Sequence, residues 1–185
     1  MINLLDKNIA KILTVFSISP GSRLSRKILK EKTQMPNVIL DKTLFRLINL
    51  KFVLREKNFF ILNFKKGETK KVIDLLYENY NKLKQLPLKE YFIISDICEE
   101  LSKIRNIGEV YLFGSYAKLI FTEKSDIDIA IISEEVNKKE VAKFIKKLGE
   151  KYSKVIEVHH FTEDFYKNKK DPLVKEILTH GVKII

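Results

Sequence analysis

The sequence is poor in cysteine and has no long apolar run. Its one cysteine, Cys98, has no partner for an internal disulfide. That excludes a disulfide framework and any four-cysteine zinc site. No apolar stretch approaches the roughly 18 residues a membrane-spanning helix requires, so no membrane partner is expected. Met1 to Lys11 carries Asp6 and lacks the apolar stretch and cleavage site of a signal peptide. The expectation is a reduced, cytoplasmic protein.

What is present is enough to build a core. Hydrophobic residues make up 45% and charged residues 32% of 185 residues, which excludes disorder by composition. That length suits one large domain or two small ones. The net charge of +11 is confined to one half. Residues 1–86 hold 18 Lys+Arg against 7 Asp+Glu, whereas residues 87–185 hold 17 of each. A basic half joined to a neutral half predicts two modules with different partners. Nucleic acid is the natural partner of the first, against the plainer reading of a solvated lysine-rich surface.

Apolar residues at Leu5, Ile9, Ile12, Leu13 and Phe16 follow helical spacing. Pro20-Gly21-Ser22 breaks that helix, and Ser22 is placed to cap the next, marked by Leu24, Ile28 and Leu29. Val38, Leu40, Leu44, Leu47, Ile48 and Leu50 predict a third helix. Phe52 to Asn63 holds two β-prone runs around a Glu56-Lys57-Asn58 turn, which predicts a hairpin. The stretch LFRLINLKFVLREKNFFILN resembles the recognition-helix end and wing of winged-helix regulators. The resemblance implies a winged helix over residues 1–64, with Lys42, Arg46, Arg55 and Lys57 as contacts to duplex DNA. Winged helices also serve as protein-docking modules. DNA-binding ones often pair, so a homodimer is among the expected assemblies, though no heptad seam marks one.

Residues 65–86 read as a linking helix, with Val72, Ile73, Leu75, Leu76, Tyr80 and Leu83 at helical spacing. Leu86-Pro87-Leu88 marks a boundary. Leu88 to Arg105 predicts another helix, and Cys98 falls within its apolar pattern as a buried thiol.

The chemistry lies in residues 87–185. Val110 to Phe113 is a short β-prone run that stops at Gly114-Ser115, and Tyr116-Ala117-Lys118-Leu119 predicts the start of a helix. A glycine after a strand admits a phosphate to the backbone, and a helix opening there directs N–H groups at the anion. Ten residues later, Ser125 to Ile132 predicts a second strand. Alternation puts Asp126 and Asp128 on one face. Two carboxylates aimed at one point repel unless a cation lies between them, and magnesium suits such oxygens. Further on, Val155 to Phe161 predicts a strand that carries Glu157 and, two residues later on the same face, His159. Glu157 is a candidate third carboxylate or general base; as an alternative it is an exposed strand residue. His159 reads first as a structural residue, with nucleotide contact the alternative. His160 points to the opposite face, so the two histidines form no joint metal site.

Phe113-Gly114-Ser115 followed by Asp126-Ile127-Asp128 resembles the nucleotidyltransferase superfamily that includes DNA polymerase beta. GSYAKLIFTEKSDIDIAI is most similar to the minimal nucleotidyltransferases of prokaryotes. Those often have Ala-Arg-Gly where this sequence has Ala117-Lys118-Leu119. The resemblance implies an α/β (α+β) domain with a small mixed sheet flanked by helices. It implies transfer of a nucleoside monophosphate from a nucleoside triphosphate to an acceptor hydroxyl, with Mg2+ or Mn2+. Gly114, Ser115 and Lys118 would hold phosphates; Asp126, Asp128 and Glu157 would hold metal or act in catalysis. The acceptor is open and includes a protein partner. Two alternatives stand beside this reading. One is a DNA-binding regulator whose second domain senses nucleotide or is inactive. The other is an antitoxin that modifies or masks a HEPN-type toxin, although such proteins usually lack a winged helix.

Overall fold

The computed structural model describes residues 6–83 and 86–185. Leu5 of the first apolar stripe and Lys84 of the linking helix lie outside those residues. The chain divides into two compact units, Met1–Phe92 and Ile93–Ile185. The class is the expected mixture of helices and sheets.

In the first unit, α1 (Lys7–Ile18) starts at Asp6, whose side chain accepts hydrogen bonds from the Asn8 and Ile9 amides. Its stripe of Ile9, Ile12, Leu13 and Phe16 is buried. Next come β1 (Leu24–Ser25) and α2 (Arg26–Thr33). Ser25 caps α2, not Ser22, because Leu24 and Ser25 first pair with a later strand and delay the helix. α3 (Asn37–Asn49) follows Pro36 and buries Leu40, Leu44 and Leu47. β2 (Val53–Glu56) and β3 (Phe59–Leu62) form the hairpin, turning through Lys57 at φ 52°. The three-stranded sheet runs β1-β3-β2, all antiparallel. Three helices and a hairpin thus stand in the expected order, with the small strand β1 added. α4 (Gly67–Asn81) packs on α1, so most of the segment read as a link belongs to this unit's core.

α5 (Leu88–Leu101) starts in the first unit and ends in the second. The second unit continues with β4 (Glu109–Phe113), α6 (Gly114–Lys118), β5 (Ile127–Ile132), α7 (Lys138–Tyr152) and β6 (Ile156–Phe161). A 3-10 turn at Glu163–Tyr166, α8 (Pro172–His180) and β7 (Val182–Lys183) complete it. The sheet order is β6-β5-β4-β7. β5 runs parallel to β6 and antiparallel to β4, which makes the sheet mixed. Phe113, Ala130 and Ile132 on one face pack with Phe165, Val174 and Ile177. Asp128 lies two residues before Ala130, on that same face.

Asp96 of α5 is fully buried. Its Oδ2 accepts from Lys151 Nζ at 2.7 Å and from the Tyr152 hydroxyl, which ties α5 to the end of α7. α7 runs through Gly149, where a methyl would come within 2.9 Å of the Lys154 carbonyl oxygen. Cys98 is buried, as its apolar setting in the sequence indicated. No described helix is long and apolar enough to cross a membrane.

Candidate active site

Asp128 is the centre of the acidic region. On one side it pairs in register with Phe113 of β4, and on the other with Glu157 of β6. The turn from β4 into α6 therefore sits directly against its carboxylate. Gly114 makes that turn at φ +67°, and a Cβ there would lie 2.0 Å from Asp128 Oδ2. The left-handed backbone favours glycine, and the absence of room for a side chain demands it. Ser115 follows, half-buried. α6 ends after five residues at Leu119, in a left-handed conformation at φ 60°. That conformation costs a leucine about 1 kcal/mol.

Asp128, Glu157 and His159 each offer a ligand atom, and all three lie within 4.8 Å of one another. His159 Nε2 is 3.9 Å from Glu157 Oε2. The imidazole is held edge-on against Phe113, with ring centroids 5.4 Å apart. Burial, and next the neighbouring charge of Glu157, push the Asp128 carboxyl above its ordinary range. Asp126 and Glu176 add to that repulsion, and His159 opposes it. A divalent cation would relieve this crowding of negative charge, and the donors are of a kind that hard and borderline cations accept. The residues fit a metal.

Asp126 stands apart from this triplet among the described residues. β5 begins at Ile127, so Asp126 immediately precedes the strand. A turn comes just before it: the Ser125 amide donates to the Thr122 carbonyl at 3.1 Å, and the Thr122 amide to Ser125 Oγ at 2.8 Å. Lys118 Nζ is engaged by Glu176 Oε1 of α8 at 2.6 Å. His160 stays out of the cluster, and burial lowers its pKa. Two site residues carried weak or no signal in the sequence. His159 is visible only as a strand neighbour of Glu157 at spacing two, and Glu176 enters from a distant helix.

Of the four cations expected to meet DNA, two lie on α3 and two on the hairpin. Lys42 is exposed on α3. Arg46 Nη1 is 2.9 Å from Asp6 Oδ2, beside the start of α1. Arg55 Nε donates to the Lys57 carbonyl at 3.2 Å, so these two share the hairpin tip.

Residues 95–185 match the family described as Polymerase beta, Nucleotidyltransferase. The second unit therefore carries a nucleotidyltransferase-type domain. Among solved structures, the chain is similar to a toxin–antitoxin crystallised with AMP-PNP, at 22% identity and a TM-score of 0.40, over 49% of this chain and 71% of that one. It is also similar to a mutant of the toxin–antitoxin MntA-HpeT, at 19% identity and a TM-score of 0.36, over 50% and 69% of the two chains. A second mutant of that complex gives 21% identity and a TM-score of 0.33, over 52% and 70%. No curated protein gives a significant match to the chain.

Proposed function

We propose that residues 95–185 transfer a nucleoside monophosphate from a nucleoside triphosphate to an acceptor hydroxyl. The acceptor oxygen attacks the α-phosphorus, the bond from that phosphorus to the β-bridging oxygen breaks, and pyrophosphate leaves. One observation carries the reading: the Gly114 turn is packed against Asp128, with Glu157 in register beside it. A phosphate-approach loop and a carboxylate cluster are thus adjacent.

Gly114 and Ser115 are assigned to the phosphates by their place at the end of β4. Asp128 and Glu157, with His159, would hold Mg2+ or Mn2+, and Asp126 lies close enough for its charge to be felt by Asp128. Such a metal neutralises charge on the phosphates. Glu157 is exposed, so it also suits a base that takes the proton of the attacking hydroxyl. Lys118 would reach a phosphate after exchanging its bond to Glu176 for one to the incoming anion.

The test is incubation with labelled nucleoside triphosphates, a divalent metal and cell extract. Label transfer that Asp128→Asn reduces by at least about a hundredfold is the expected result. Saturable binding with no transfer in any extract would replace this reading with that of a nucleotide sensor.

A second reading concerns the first unit. The confinement of the +11 to residues 1–86 supports a polyanionic partner, with duplex DNA met by Lys42, Arg46, Arg55 and Lys57. Freeing Arg46 from Asp6 costs about 1 kcal/mol or less, as for other exposed pairs. Duplex binding that falls steeply with salt is expected, and salt-insensitive binding would remove it.

A further inference from the structure

In the first unit, α2, α3 and the hairpin enclose a groove of about 600 Å³. Its apolar surface comes from Leu44, Phe45, Ile48 and Phe60. Phe45 is 66% exposed, and Val38, two turns before it on α3, is 64% exposed. A helix that pins itself to a core with Leu40, Leu44 and Leu47 has no folding use for an exposed phenylalanine on its opposite side. The rim is charged. Arg26 and Asp41 neutralise each other through two bonds, at 2.7 and 2.8 Å. Lys27 and Arg55 remain, so the groove wall is cationic overall.

We propose that this groove is a docking site for an acidic, apolar segment of a partner protein. An aromatic or aliphatic side chain of that segment fills the space between Phe45, Ile48 and Phe60, and flanking carboxylates meet Arg55 and Lys27. Other occupants fit worse. A DNA backbone presents mainly charged phosphate oxygens, which match Phe45 poorly and would be brought up to Asp41. A second copy of the chain would oppose two units that each carry a large positive excess. The groove takes in Asp41, Phe45 and Ile48, whereas Lys42 and Arg46 lie one residue on around α3, toward the other flank, so that Arg55 alone is common to this groove and the cations assigned to DNA. All of the lining belongs to the first unit, so the inference does not rest on the transferase reading.

The experiment selects a random peptide library on the full chain, with counter-selection on the full chain carrying Phe45→Ala and Arg55→Glu. Recovered peptides are expected to share an apolar residue beside Asp or Glu. A labelled peptide of that consensus should lose at least about tenfold in affinity with either single variant. Both positions are exposed, and matching thermal melts establish that the variants fold. Labelled duplex DNA should bind the Phe45→Ala chain as it binds the wild type. The proposal is overturned by any of four results: no enrichment over the double variant, a consensus lacking carboxylates, DNA affinity that depends on Phe45, or sedimentation showing a dimer that Phe45→Ala dissociates.

Discussion

The α-carbon of Gly114 and the carboxylate of Asp128 occupy adjoining space, so that a single methyl on the glycine would lie 2.0 Å from Oδ2 and 2.9 Å from Cγ. Gly114 follows the last residue of β4 and Asp128 lies in β5, and the two meet because Phe113 is the register partner of Asp128. The closeness links the turn assigned to phosphates to the carboxylate assigned to metal, and it makes their perturbations inseparable.

Gly114→Ala should therefore act on the site through Asp128. The variant is expected to lose both nucleotide and metal affinity, with a destabilisation of about 1–3 kcal/mol from the left-handed backbone and the clash. Titration of Mn2+ followed by paramagnetic resonance, together with urea melts, measures both. Wild-type metal affinity in a folded Gly114→Ala chain would break the proposed link.

The geometry ranks the carboxylates differently from their sequence spacing. Asp128 belongs to the triplet with Glu157 and His159, while Asp126 stands outside it. Asp128→Asn should weaken Mn2+ binding by at least about tenfold, and His159→Ala should weaken it measurably. Asp126→Asn should cost less than Asp128→Asn. The reverse order would show that Asp126 swings into the centre when metal binds.

Glu109 supplies a pH-dependent element of stability away from the site. Its carboxylate accepts from Lys183 Nζ at 2.8 Å, from the Tyr166 hydroxyl, and from the Tyr111 hydroxyl at 2.9 Å. Those bonds, that of Lys183 foremost, lower its pKa from 4.5 to about 2. A depressed carboxylate stabilises the fold above its unfolded value and loses that contribution as pH falls through the folded one. Comparison of melts for wild type and Glu109→Gln should give a gap of about 1 kcal/mol or less at neutral pH, because the group is partly exposed. The gap should close between pH 4.5 and about 2. A gap independent of pH would refute the linkage.

Cys98 should be inert. Burial pushes its thiol up to about 12, and the side chain is enclosed in α5. A disulfide reagent at pH 8 should label the native chain far more slowly than the urea-unfolded one. Equal rates in the two states would mean that this helix opens readily.

Some of the architecture was legible because it is written in local patterns. The stripe from Ile9 to Phe16 sets α1, and the alternation of Val53 to Leu62 around Lys57-Asn58 sets the hairpin. Gly114-Ser115 and Asp128 could be found because glycine after a strand and paired aspartates are rare combinations with few physical uses. Boundaries set by competition were not legible in the same way. Ser25 took the cap from Ser22 because Leu24 had a strand partner 36 residues on, at Phe60.

The sequence by itself determined the two-part charge distribution, the element types and the Gly-Ser to Asp-x-Asp constellation. These follow from residue chemistry at short range, where period and spacing act directly. Only the tertiary structure decided which acids share one point, that His159 joins them, that Glu176 engages Lys118, and that Phe45 is left facing a cationic groove. Each of these is a contact between segments far apart in the chain. Strand register and helix docking set such contacts, and neither leaves a periodic trace in the residues that finally meet.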